Sequence, residues 1–82
     1  MVTVYYDPFF EKTIRKINDQ KVKTKVKKQI IKILENPEIG KPMKYNRKGT
    51  RELYIPPFRL SYYYDYETET IVFLTIYHKD NQ

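Results

Sequence analysis

The sequence predicts an α+β fold of order β-α-α-β-β-β, an antiparallel sheet with a helical hairpin packed on one face. Two observations carry this. Apolar residues recur at helical spacing between residues 10 and 33, and after Gly49 the period changes to two for the rest of the chain. Between the last three strand-like runs there is no room for crossover helices, so those strands form an antiparallel meander.

Each element has a local reason. Val2 to Tyr6 is β-branched and aromatic with alternating character, a short strand. Asp7-Pro8 reads as an N-cap followed by proline at the first helical position, and Phe10, Ile14 and Ile17 then form one apolar stripe over about eleven residues. Asn18-Asp19-Gln20 interrupts the pattern. Asp19 caps a second helix in which Val22, Val26, Ile30 and Ile33 recur, and Asn36-Pro37 ends it because proline pushes its predecessor out of the helical region. Residues 37–49 read as a loop with two prolines, two glycines and the cations Lys41, Lys44, Arg47 and Lys48. Residues 50–55 form a strand stopped by Pro56-Pro57, residues 58–66 a second, and residues 70–78 a third, with Glu67 to Glu69 at a hairpin tip.

Size and composition narrow the chemistry. A chain of 82 residues accommodates one domain, expected over residues 1–82. A domain this small buries only about 60% of its unfolded surface, so function is expected on an open face or groove. There is no cysteine and only one histidine, which argues against thiolate zinc, a cysteine nucleophile or a multi-histidine metal site. The longest uncharged apolar run, Ile71 to Tyr77, falls far short of the roughly 20 residues that span a bilayer. No signal peptide is visible, and a soluble intracellular domain is expected.

The formal charge of +6 is uneven: residues 1–48 carry +8 and residues 49–82 carry −2. Nine of the cations lie between Lys12 and Lys32. Such a patch attracts polyanions, nucleic acid foremost, although a lysine-rich helix is also commonly a solvated face. On that helix Lys23, Lys25 and Lys27 are candidate RNA contacts.

In the second meander strand Phe58, Leu60, Tyr62 and Tyr64 share one face, and the helices are expected to cover it. Arg59, Ser61, Tyr63 and Asp65 share the other. Arg59 offers a planar fork suited to phosphate, or alternatively a cross-strand ion pair with Glu52. In the last strand Thr75 and Tyr77 alternate against Leu74 and Ile76, which puts Tyr77 on Arg59's face and His78 nominally on the core side. The nine tyrosines suit base stacking, and equally reflect strand propensity.

The runs Asn36-Pro37-Glu38-Ile39-Gly40-Lys41-Pro42, Gly49-Thr50-Arg51-Glu52-Leu53, Phe58-Arg59-Leu60-Ser61-Tyr62 and Phe73 to Asp80 resemble the RelE/ParE toxin superfamily. The likeness covers essentially the whole chain and rests on motif order and spacing. It implies the toxin of a type II toxin–antitoxin pair, cytoplasmic and held in a heteromeric complex by a small RelB-like antitoxin. RelE-like members are metal-independent, cofactor-free endoribonucleases that cut mRNA in the ribosomal A site, whereas ParE-like members inhibit DNA gyrase. The nuclease reading is the leading expectation. It implies Arg59 as transition-state stabiliser, His78 as general acid or base, and Lys44, Lys48, Arg51 and Lys79 as contacts to the substrate backbone. The chain departs from the pattern at Arg51-Glu52-Leu53, where a relative has a lysine pair, at Met43, where others have a catalytic carboxylate, and in having no C-terminal tyrosine beyond Gln82, a role for which Tyr77 is the substitute.

Overall fold

The computed structural model describes residues 2–43 and 49–78. Its elements are β1 (Thr3–Tyr6), α1 (Pro8–Lys16), α2 (Gln20–Glu35), β2 (Lys41–Pro42), β3 (Thr50–Ile55), β4 (Phe58–Asp65) and β5 (Thr70–His78). One sheet has the order β1-β5-β4-β3-β2. The meander β3-β4-β5 is antiparallel, as the short connections between these strands require. At one edge β1 pairs parallel with β5, and at the other β2 pairs antiparallel with β3. The sheet is thus antiparallel except at β1. Two residues of β2 are too few to show alternation, so the sequence reads them as loop.

Both helices start where capping chemistry places them. The Asp7 carboxylate accepts from the Phe9 amide at 2.8 Å, and Pro8 occupies the first helical position. The Asp19 carboxylate accepts from the Lys21 amide at 2.9 Å. Each cap satisfies a donor that has no intrahelical partner, worth about 1 kcal/mol. α1 is shorter than its stripe suggests. It closes at Lys16, with Ile17 already extended but still buried.

The helices cover one sheet face. Phe10 and Ile17 from the α1 region and Val26 and Ile33 from α2 meet Ile55, Leu60, Tyr62, Ile71, Phe73 and Ile76 in a single core. Phe10, Tyr6 and Tyr62 gather around the Phe73 ring, with Tyr6 stacked on it at 5.2 Å. Fully burying such a side chain contributes about 1.5–3 kcal/mol each. In β4 the expected parity holds: Leu60 and Tyr62 are buried among the helices, with Phe58 and Tyr64 at the margins.

In β5 the alternation breaks. A register shift at Ser61/Tyr62 pairs Ser61 with Thr75 but Tyr62 with Phe73. Phe73 rather than Leu74 therefore enters the core, while Ile76 remains inside. An extra residue in one strand re-aims side chains on either side of it, and period-two counting along the sequence has no way to see it.

Candidate functional site

The sheet face away from the helices is built by register. Tyr54 on β3, Arg59 on β4 and Tyr77 on β5 are aligned across three strands, and one step along lie Glu52, Ser61 and Thr75. Directly opposed residues share a face, so these six form one polar and aromatic row pair, in which Ser61 is itself buried with its hydroxyl 4.0 Å from the Met43 sulfur. Lys41 of β2 is in register with Glu52 and extends the same row. Tyr63 continues the face along β4.

Glu52 joins this surface together. Its Oε1 accepts from the Arg59 guanidinium at 2.8 Å, and its Oε2 accepts from the Tyr77 hydroxyl. The carboxylate thus bridges two neighbouring strands. It is mostly covered, its side chain 16% exposed against 33% for Arg59. The Arg59 guanidinium also lies 6.0 Å from the centre of the Tyr54 ring, at the outer range of a cation–π contact. Arg59 Nε is buried without a hydrogen-bond partner. A guanidinium with one nitrogen anchored and the rest of its fork incompletely used is suited to bind an anion at the sheet surface. The ion pair with Glu52, one of two readings open from the sequence, is present.

The other expected site residues divide. Tyr77 shares Arg59's face, as strand alternation predicts. His78 does not: it pairs with Phe58, and its ring meets the Phe58 ring edge-on at 5.6 Å on the helix side of the sheet. The structure does not bring His78 to Arg59, because consecutive strand residues point to opposite faces.

Arg51 is also on the helix side. Its guanidinium donates to the carbonyls of Glu38 at 3.0 Å and Gly40 at 2.7 Å, and the Glu38 carboxylate lies 3.9 Å away. Arg51 therefore pins the turn that follows α2. Tyr62 works beside it: its hydroxyl donates to the Pro37 carbonyl at 2.7 Å and accepts from the Gly40 amide at 2.9 Å. Burial pushes the Tyr62 phenol up from its ordinary value, opposed by the Gly40 hydrogen bond and the Arg51 charge. The Arg51 fork is thus occupied by backbone carbonyls, on the sheet face opposite Arg59.

Lys23, Lys25 and Lys27 do not make one patch. Lys23 and Lys27, one turn apart, line a groove of about 480 Å³ between α1 and α2, with Phe10, Ile14, Val26 and Ile30 as its apolar wall. Lys25 is rotated about 200° from Lys23 and is exposed on another side of the helix. Lys44, Lys48 and Lys79 lie outside the described residues.

Sequence reasoning placed Glu52 only as an alternative partner for Arg59, and it missed Lys41 and Tyr54. The signal for Tyr54 and Glu52 was available, since Thr50, Glu52 and Tyr54 alternate with the apolar side chains of Leu53 and Ile55. Lys41 carried no such signal, because β2 is too short. Among the described residues no cluster of three histidine, cysteine, aspartate or glutamate side chains is placed to hold a metal ion. No described helix is long and apolar enough to cross a membrane.

Comparisons with known proteins extend this geometry. The family model described as the ParE toxin of the type II toxin–antitoxin system, parDE, matches residues 4–82. No curated protein matches the chain. Among solved structures, the intact E. coli RelBE toxin–antitoxin complex is similar with a TM-score of 0.78 and 19% identity, covering 93% of this chain and 94% of that one. The RelBE2 toxin–antitoxin complex from Mycobacterium tuberculosis is similar at 0.80 and 24% identity, covering 95% and 98%. The YoeB/ParE toxin from Agrobacterium tumefaciens is similar at 0.81 and 13% identity, covering 94% and 98%. At these identities the solved structures show a shared RelE-type fold.

Proposed function

From a chain that belongs to the ParE toxin family of type II toxin–antitoxin systems, within the RelE/ParE superfamily, we propose an endoribonuclease that cleaves mRNA on the ribosome without a metal ion. The observation that supports this reading is the joining of Arg59, Glu52 and Tyr77 on the sheet face the helices leave open. Metal-free RNA cleavage by 2′-hydroxyl attack needs a cation against the phosphoryl oxygens and groups that hold and move protons nearby. Arg59 supplies the cation. Tyr77 supplies a hydroxyl in register with it, and Tyr54 and Tyr63 supply flat surfaces for bases on the same face.

The remaining cations hold the polyanion in this reading. Lys41 extends the row of Glu52 at the sheet surface, and Lys44, Lys48 and Lys79 contact the substrate backbone. Lys23, Lys25 and Lys27 add attraction to the ribosome from α2. His78 is assigned no step, since its ring packs on Phe58 across the sheet from Arg59. The partner in the cell is a small RelB-like antitoxin, by analogy with the toxin–antitoxin complexes from E. coli and M. tuberculosis.

A second reading, a ParE-like inhibitor of DNA gyrase, is favoured by one feature. Glu52 neutralises Arg59, and Arg51 is turned into the fold, which leaves few unpaired cations on the open face among the described residues. Primer-extension mapping of mRNA in a translation extract separates the two. Discrete cuts at A-site codons, lost in Arg59→Ala, support the nuclease. Uncut mRNA together with stalled supercoiling by gyrase overturns it.

A further inference from the structure

We infer that Glu52 is the proton acceptor of this site, aimed by Tyr77, and more than a counter-ion for Arg59. The inference rests on the nuclease reading and deepens it. Glu52 is the carboxylate nearest Arg59 on the open face among the described residues. Asp65, on the same face of β4, is six residues further along, about 20 Å. The histidine that sequence reasoning offered for proton transfer is on the opposite face. The groups that face Glu52 are Arg59 from β4, Tyr77 from β5, Tyr54 from its own strand, and Lys41 in register from β2.

The geometry suits a base. Among the described residues each carboxylate oxygen is held by one donor, Arg59 on Oε1 and Tyr77 on Oε2, so the plane of the carboxylate is set by two strands and does not rotate freely. Each oxygen keeps a second lone pair. The side chain is covered but still reaches solvent. A phosphate drawn to Arg59 would bring the neighbouring ribose next to Glu52, because the two side chains are in contact. In the step itself, the 2′-hydroxyl proton passes to a Glu52 oxygen while the 2′-oxygen–phosphorus bond forms. The phosphorus–5′-oxygen bond breaks, and the leaving oxygen takes a proton from water. Glu52 then gives its proton to the resulting hydroxide. The products are a 2′,3′-cyclic phosphate and a 5′-hydroxyl, with water as the only other participant and no net change in the protein.

The test is single-turnover cleavage of mRNA on programmed ribosomes by the full chain and its variants, alongside binding of the same message made uncleavable by a 2′-deoxy substitution. Glu52→Gln keeps the shape and the bond from Arg59 to the side-chain oxygen, while its amide nitrogen donates to the Tyr77 oxygen instead of accepting from it. It is expected to cut about 10²- to 10⁴-fold more slowly, the usual range for losing a general base, with affinity for the uncleavable message unchanged or tighter. Glu52→Asp recovers part of the rate. A 5′-thio leaving group, which needs no proton, does not restore Glu52→Gln. Cleavage by Glu52→Gln within threefold of wild type overturns the inference and leaves the nuclease reading standing. Equal losses of rate and affinity also overturn it, making Glu52 only a brace for Arg59, as does restoration by the thio leaving group. A wild-type protein that cleaves no message overturns the nuclease reading and the inference together.

Discussion

The Gly40 amide donates to the Tyr62 hydroxyl at 2.9 Å, linking residues 22 positions apart and fastening the turn after α2 to the middle of the sheet. Position 40 admits no side chain: a Cβ there would sit 2.6 Å from the Tyr62 oxygen. The same hydroxyl donates to Pro37, so one phenol serves both ends of the turn. Arg51 closes it from the other side. This turn leads into β2 and toward the cationic stretch of the chain.

Tyr62→Phe removes that hydroxyl and leaves the Gly40 amide and the Pro37 carbonyl short of a partner. A loss of about 1–3 kcal/mol is expected in urea unfolding, from the cost of unpaired buried polar groups. Gly40→Ala is expected to destabilise as well, since the Tyr62 ring is packed in the core and cannot retreat without disturbing Phe73. A Gly40→Ala protein as stable as wild type would show that the turn is looser than its geometry implies.

Stability is expected to fall at high pH through Tyr62. Its folded phenol is raised above the unfolded value of about 10. Below pH 10 both states hold the proton and the contribution is constant. As pH rises past 10 the unfolded chain releases its proton first, so the unfolded state binds fewer protons and stability declines with pH. The slope is up to about 1.4 kcal/mol per pH unit for one group. Comparing wild type with Tyr62→Phe between pH 9 and 11, on the order of the window named, isolates it from the other tyrosines. Parallel curves would remove Tyr62 as the cause.

Arg59→Ala is expected to lower cleavage about 10²- to 10³-fold, the scale for removing one donor to a developing charge. Arg59→Lys is not expected to restore it. An ammonium has no planar fork with which to hold Glu52 and a phosphate at once. Full rescue by lysine would reduce Arg59 to a point charge.

Replacing Lys23 and Lys27 together by glutamine is expected to weaken association with ribosomes or RNA and to flatten its salt dependence by about two charges. Lys25→Gln should act independently, because it faces away from that pair. Far-UV circular dichroism should be unchanged in all of them, as the ammonium groups cap nothing. Unaltered binding at low salt would identify these lysines as a solvated face.

Much of this protein was legible locally. Asp7-Pro8 and Asp19 start helices through hydrogen bonds made within three residues, and Pro37 ends one by a clash with its neighbour, so no distant contact is needed to read them. The alternation in β4 separates Leu60 and Tyr62 from Arg59 in a strand paired regularly on the β3 side. The family is legible for a related reason: motif order along 82 residues survives even where single motifs are degenerate.

What the tertiary structure alone decided lies at long range. The sequence named Arg51 for the substrate backbone and Arg59 for the transition state, yet strand pairing sets Arg51 opposite Tyr62, where it reaches the backbone of a turn, and Arg59 opposite Tyr54, where it meets Glu52 on the open face. The bulge in β5 changes which side chains enter the core, and it depends on how two strands align. Register also places Tyr77 beside Glu52 and leaves His78 against Phe58. Periodicity reports which face of its own strand a residue takes. Only the pairing of strands determines which residues from other strands it meets there, because that alignment is set by the packing of the whole core.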